Sequence, residues 1–224
     1  MRPLTSKGVR MIYRSMWVSY LQPGIDIAGI CTRRTQPLHH ASDGHAITTM
    51  ALFAHQHMLY GYAESTHSLD THTLMAATLG DVLMRIPTSR GMQVSIDLPD
   101  IYHDGMPGDG PHWRAPGYTP ERRVGSLARL KPAMYCSYVY YHFLRQEEQP
   151  HGFNKYYIIG AHENMIFSYQ EWPATIDTPK PQGSMSTDLT PSNWQELMHQ
   201  HFELWTDQPS DSHEWIRLPL IWEK

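Results

Sequence analysis

The sequence predicts an α+β protein of two fused ferredoxin-like units, each β-α-β-β-α-β, packed as an intramolecular dimeric α/β barrel. Three observations predict it. AHQHMLYGYAE (Ala54 to Glu64) nearly recurs as AHENMIFSYQE (Ala161 to Glu171), with Ala, His, Met, Tyr and Glu at identical spacing and Tyr60 answered by Phe167. The segments DLPDIYHD (Asp97 to Asp104) and RLPLIWEK (Arg217 to Lys224) share Leu-Pro-x-Ile-aromatic in register. Both opening strands end in a proline just before a helix, at Pro23 and Pro132.

In the first half, RMIYRSMWVSYL (Arg10 to Leu21) is rich in aromatic and β-branched residues and reads as a strand stopped by Pro23-Gly24. IDIAGICTRR follows as a short helix, and PLHHASDGH (Pro37 to His45) reads as a loop. ITTMALFA and HMLYGYAES are strands hinged at His55-Gln56-His57. Leu69 to Ile86 carries Leu74, Met75, Leu79, Val82, Leu83 and Ile86 at helical spacing and closes at Pro87. MQVSIDLPDIY completes the unit as a strand whose proline suits an edge or bulge. The first unit spans residues 9–104, and the Gly/Pro-dense stretch 105–122 is a linker.

The pattern restarts over residues 123–224. VGSLARLKP is a strand, AMYCSYVYYHFLRQEEQ a helix, and KYYIIGA and NMIFSYQEW are strands joined at His162-Glu163. Thr190-Pro191 caps a helix over SNWQELMHQHFELW, with proline in its first turn, and SHEWIRLPLIWEK is the last strand. A unit with helices on one sheet face must cover the other face. The second unit supplies that cover, so no partner subunit is required, although a further homo-oligomer stays open.

Net charge of −4 and scattered Lys and Arg argue against a nucleic-acid binder. No apolar run is long enough to span a bilayer and no secretory signal opens the chain, so a soluble cytoplasmic protein is expected. Cys31 and Cys136 are too few for a disulfide framework and read as reduced, mostly buried thiols. His39, His40, His45, His55 and His57 raise the question of a metal, but no Cys pair or HExxH helix accompanies them, and neither metal nor other cofactor is expected. P-loop, dinucleotide fingerprint and nucleophile elbow are missing.

Chemistry concentrates on the second-half helix. Tyr138 and His142 are four apart and share a helix face, so the phenol can orient or share a proton with an imidazole that titrates near neutrality. Spacing alone favours the plainer arrangement, in which the tyrosines pack on the sheet while His142 caps the helix or meets solvent. Residues Val124 to Trp222 resemble the L-rhamnose mutarotase family, in which a strand ending in Asn-Pro precedes a helix with Tyr-x-x-x-His, two strands with a charged turn, a Trp-bearing helix and a strand ending in an aromatic. Here Lys131-Pro132, Tyr138, His142, the turn GAHEN and HEWIRLPLIW correspond. The family's adjacent Trp pair is not reproduced; Trp194 and Trp205 lie elsewhere and His199 and His201 occupy that region, while Lys155 stands near a family tyrosine with Tyr157 two residues on.

The resemblance implies a sugar mutarotase or isomerase needing no cofactor, with His142 and Tyr138 catalytic. Lys155, Tyr157, Tyr169, His199, His201 and Trp194 would bind a monosaccharide. In the first half the positions equivalent to Tyr138 and His142 are Gly29 and Arg33, so its site is degenerate, with Arg33, His39 or His40 left to form a pocket of its own. The same tandem architecture also accommodates a cofactor-independent or haem-binding oxygenase, or a non-catalytic small-molecule binder.

Overall fold

The computed structural model describes residues 11–107, 113–150, 152–176, 182–206 and 213–224; within it the side chains of residues 31–33 are not described. The protein is α+β with antiparallel sheets. Its elements run β1 (Tyr13–Tyr20), α1 (Ile27–Arg33), α2 (Thr35–Gly44), β2 (Ile47–His55), β3 (Met58–Ser65), α3 (Thr71–Leu79), β4 (Ile86–Thr88), β5 (Gly91–Gln93), β6 (Ile96–Asp97) and β7 (Asp100–His103). They continue with β8 (Arg122–Leu130), α4 (Tyr135–Glu148), β9 (Ile158–His162), β10 (Met165–Trp172), α5 (Trp194–His199), β11 (Phe202–Glu203), β12 (Trp215–Leu218) and β13 (Leu220–Glu223).

The first sheet has the order β13-β2-β3-β1-β6; the second runs β11-β8-β10-β9-β7, with β12 also on β8. The two expected closing strands are each broken at proline and shared between sheets. Ile96–Asp97 pairs with β1, and after Leu98-Pro99 the chain pairs through β7 with β9 of the other sheet. Likewise Trp215–Leu218 pairs with β8, and after Pro219 the chain pairs through β13 with β2. Proline cannot donate to a ladder, so each strand has to break there. The carbonyls still serve: Pro99 accepts from Ala161 N at 3.1 Å and Pro219 from Ala54 N at 3.1 Å.

Three apolar cores result. One lies between the first sheet and its helices, around Trp17, Leu38, Leu74 and Met75. A second lies between the sheets, where Phe53, Tyr60 and Tyr62 meet Phe167, Tyr169 and Ile216. The third lies under α4 and α5, around Tyr138, Ile159, Ile166 and Phe202. Both repeat hairpins turn through a left-handed residue at the same position, Gln56 (φ 53°) and Glu163 (φ 53°).

The repeated Tyr-x-Glu forms the heart of the sheet-to-sheet contact. Tyr62 and Tyr169 hydrogen-bond Glu64 (2.7 Å) and Glu171 (2.6 Å), both carboxylates being fully buried. Arg114, from the stretch between the halves, donates through Nε and Nη2 to Glu64 (2.7 and 2.8 Å) and through Nη1 and Nη2 to Glu171 (both 2.8 Å). Burial works to raise the Glu64 carboxyl, but the bonds and charge of Arg114 hold it below its ordinary value.

Several expected elements differ. Residues 37–44 are not a loop but most of α2, which His45 caps: Leu38 and Ser42, four apart, face the core, and Pro37 sits in the first turn, where its missing N–H costs nothing. The helix expected over 69–86 ends at Leu79; Met84 N instead donates to Tyr20 O (2.7 Å) and Leu83 bridges Leu21, so the segment extends the end of β1. The helix expected over 192–205 is only α5, begins after Asn193, and gives way to β11 on the edge of β8. Thr190 does not cap it; its N–H and hydroxyl bond Glu148 (2.7 and 2.5 Å). Cys136 is exposed and free rather than buried. Among the described residues no helix is long and apolar enough to cross a membrane.

Candidate active site

A cavity of about 640 Å³ opens between α4, α5 and the outer face of the second sheet. Helix α4 starts from a 3-10 turn at Pro132–Met134 and lays Tyr138, His142 and Arg145 along one face, at i, i+4 and i+7. Helix α5 contributes Trp194, Met198 and His199 to the opposite wall. Tyr157, Ile159, Phe202 and Trp215 come from the sheet and its approaches. Tyr102 lines the same cavity from β7, the strand that crosses over from the first half.

His142 is 6% exposed and ringed by aromatics: Tyr138 at 4.0 Å, Trp194 at 5.0 Å and Tyr102 at 5.4 Å between ring centroids. Its Nδ1 lies 2.9 Å from the carbonyl oxygen of Tyr138, one helical turn earlier. That bond requires the Nδ1–H tautomer and leaves the Nε2 lone pair available, with no protein hydrogen-bond partner among the described residues. Burial pushes the imidazole pKa down to about 4, the charges of Arg145 and His201 push the same way, and the carbonyl bond partly opposes them. His142 is therefore neutral at pH 7. Burial also raises the phenols of Tyr138 and Tyr157, and that of Tyr102 to about 12, so all three stay protonated donors.

Two charged groups complete the lining. The Arg145 guanidinium stacks over Trp194, 4.3 Å from the ring centroid, and burial lowers its pKa. At the more exposed rim, His199 Nδ1 and Glu214 Oε1 are 2.5 Å apart.

Of the residues expected from sequence, Tyr138, His142, Tyr157, Trp194 and His199 share this cavity. Tyr138 meets His142 in two ways: its ring packs on the imidazole, and its backbone carbonyl, rather than its phenol, makes the hydrogen bond. Lys155 lies elsewhere. Residues 155–157 form a turn, with Tyr157 N donating to Asn154 O (2.8 Å), so the strand alternation that would align Lys155 with Tyr157 is lost. Its ammonium sits 5.3 Å from the Trp113 ring. Tyr169 is in the core between the sheets. His201 is fully buried behind Tyr138, its nitrogens bonded to Leu197 O (2.9 Å) and Ser137 Oγ (2.9 Å).

His39 and His40 are exposed on α2, with the His39 ring 5.1 Å from Trp222. The side chain of Arg33 lies outside the described residues. His55 and His57 contact Trp205 and Tyr20 respectively. Among the described residues no group of three or more His, Cys, Asp or Glu could hold a metal ion.

No family model and no curated protein matches the chain. Solved structures similar to it include a candidate monooxygenase from Lactobacillus acidophilus NCFM (11% identity, 94% of this chain and 95% of that one, TM-score 0.41). Another is from Fusobacterium nucleatum subsp. nucleatum ATCC 25586 (6% identity, 96% and 94%, TM-score 0.45). A third is an anthrone oxidase-like protein (10% identity, 99% and 96%, TM-score 0.38). None of the three is described as a mutarotase. The resemblance to the L-rhamnose mutarotase family is corrected on that finding, and with it the expectation of a carbohydrate isomerase. The Tyr-x-x-x-His spacing that carried the resemblance needs no sugar chemistry: it follows from a helix face and an imidazole bonded to the carbonyl four residues back.

Proposed function

We propose that this protein is a cofactor-independent oxygenase acting on an electron-rich aromatic compound with an acidic C–H or O–H. The observation that carries the reading is the His142 imidazole: neutral, tautomer-locked by the Tyr138 carbonyl, its Nε2 lone pair free inside an aromatic-walled cavity. A cavity of this volume suits a ligand of two or three fused rings, and flat rings stack on its walls.

In this reading His142 Nε2 takes the acidic proton, and the resulting carbanion or phenolate, rich in electrons, transfers one to O2. Recombination forms the C–O bond of a hydroperoxide anion, which recovers the proton from His142. Loss of water then cleaves the O–O bond and leaves a carbonyl, so that R2CH2 and O2 become R2C=O and H2O. The protonated phenols of Tyr102, Tyr138 and Tyr157 are the hydrogen-bond donors for the developing oxyanion. For the architecture, the strand orders support reading residues 9–104 and 123–224 as ferredoxin-like units that exchange their last strands across the 105–122 connection.

The test is oxygen uptake over a panel of polyhydroxylated naphthalenes and anthrones, without added metal or cofactor. The expected result is stoichiometric uptake that falls a hundredfold or more, on the order of a lost general base, in His142→Gln. No uptake above buffer across the panel, or a variant equal to wild type, rejects it. A stoichiometric Soret band on adding haemin, lost in the same variant, moves the assignment to a haem protein.

A further inference from the structure

The oxygenase reading leaves Arg145 and the His199–Glu214 pair of the cavity lining unused, and of these Arg145 has no polar partner among the described residues. Its guanidinium makes no hydrogen bond and no ion pair among the described residues, although it is packed over Trp194 and lines the cavity. The carboxylates within its reach are committed elsewhere. Asp104, 6% exposed, accepts from the backbone N–H of Gly152 (3.0 Å) and of Asn154 (2.5 Å). Glu148, one turn further along α4, accepts from Leu189 N (3.0 Å) and Thr190 N (2.7 Å) and holds the loop that precedes α5. Glu214, the one carboxylate among the described residues lining the cavity, is engaged by His199.

A guanidinium packed over an indole is restrained, and its N–H fork matches a carboxylate in two parallel hydrogen bonds. Partial burial strengthens such a bond. Asp104 is near enough for its charge to act on Arg145, but its oxygens accept from backbone N–H groups, so the guanidinium's own donors are left to a ligand. His142 cannot serve the same anion, since it is neutral and offers a lone pair.

We infer that the cavity takes an aromatic acid, with the Arg145 fork on the ligand's carboxylate and the ring system against Trp194 and Tyr102, facing His142. This deepens the oxygenase reading and rests on it for the identity of the cavity as the substrate site. It divides the labour along α4: Arg145 recognises and positions, His142 handles the proton.

The experiment compares binding of 3-hydroxy-2-naphthoate and 2-naphthol, which differ by the carboxylate, by tryptophan quenching and calorimetry at pH 7. Wild type is expected to prefer the acid by about tenfold to a hundredfold, the worth of one charge-assisted bidentate contact. Arg145→Met should abolish the preference of the acid over 2-naphthol, and Arg145→Lys should retain part of it. Equal affinities in wild type, no binding of the acid, or a preference that survives Arg145→Met overturns the inference; the wild-type comparison decides even where a variant fails to fold. The two readings fail separately. A preference for the acid without oxygen uptake by any panel member sinks the oxygenase and leaves the acid site. Oxygen uptake with equal kcat/KM for acid and naphthol does the reverse.

Discussion

Tyr62 and Tyr169 stack ring on ring across the two sheets, centroids 3.8 Å apart and planes within 11°. They are the same position of the repeated segment, and each hands a hydroxyl hydrogen bond to the glutamate two residues on. The repeat therefore meets itself at the centre of the molecule, and Arg114 bridges the two glutamates where two like charges would otherwise face one another.

Arg114→Ala leaves two buried carboxylates without their cation. Breaking a buried ion pair from one side costs about 3–5 kcal/mol. Urea denaturation should show a loss of that size, with much of it recovered when Glu64→Gln and Glu171→Gln are added. A loss under about 1 kcal/mol would show that the triad contributes little.

Acid should loosen the same contact. The Glu64 carboxyl is held below its usual value in the folded state, so its stabilising contribution is complete above the unfolded value near 4.5 and disappears as pH falls through the lower folded one. The urea midpoint should drop through that window, and Glu64→Gln should flatten the drop. An unchanged slope in the variant would assign acid sensitivity to other groups.

His142 sets a different pH signature. Its folded-state value of about 4 lies below the ordinary 6.5, so the unfolded chain gains a proton first and stability drains away as pH falls from 6.5 through about 4. The neutral base survives over that range, so the acidic limb of kcat/KM should fall near pH 4 rather than near 6.5. Nitrogen-15 chemical shifts of the imidazole check this directly: a midpoint at or above 6 contradicts a desolvated base.

Gly61→Ala should be among the most damaging small changes in the first sheet. A Cβ there would sit 2.1 Å from Trp17 Cε2, and Trp17 is fully buried directly across the ladder. Overpacking costs about 1–3 kcal/mol, and a clash this close with a fully buried ring belongs at the upper end. A thermal melt within a degree or two of wild type would mean that Trp17 has room to move.

The hairpins were legible in sequence because their turn, alternation and apolar residues repeat in register, and the left-handed residues Gln56 and Glu163 fall at one position of it. Arg145 was equally legible and missed: it continues the Tyr138 and His142 face at i+7. Helix α2 was hidden because its apolar signal is little more than Leu38 among histidines and small polar residues. Tyr102 could not be found locally. It reaches the cavity only because the chain leaves its own sheet after Pro99, and a proline says where a strand breaks, not which sheet receives the remainder.

Strand β13 carries a consequence for biosynthesis. Residues 220–223 complete the edge of β2, a strand made some 170 positions earlier, and Arg123 then fastens Glu223 (2.5 Å) and the Lys224 carbonyl (3.0 Å). On the ribosome, the nascent amino-terminal half waits with an uncapped β edge until the far end of this sequence emerges. That closure is of high contact order, the kind that folds slowly and leaves aggregation-prone edges exposed meanwhile.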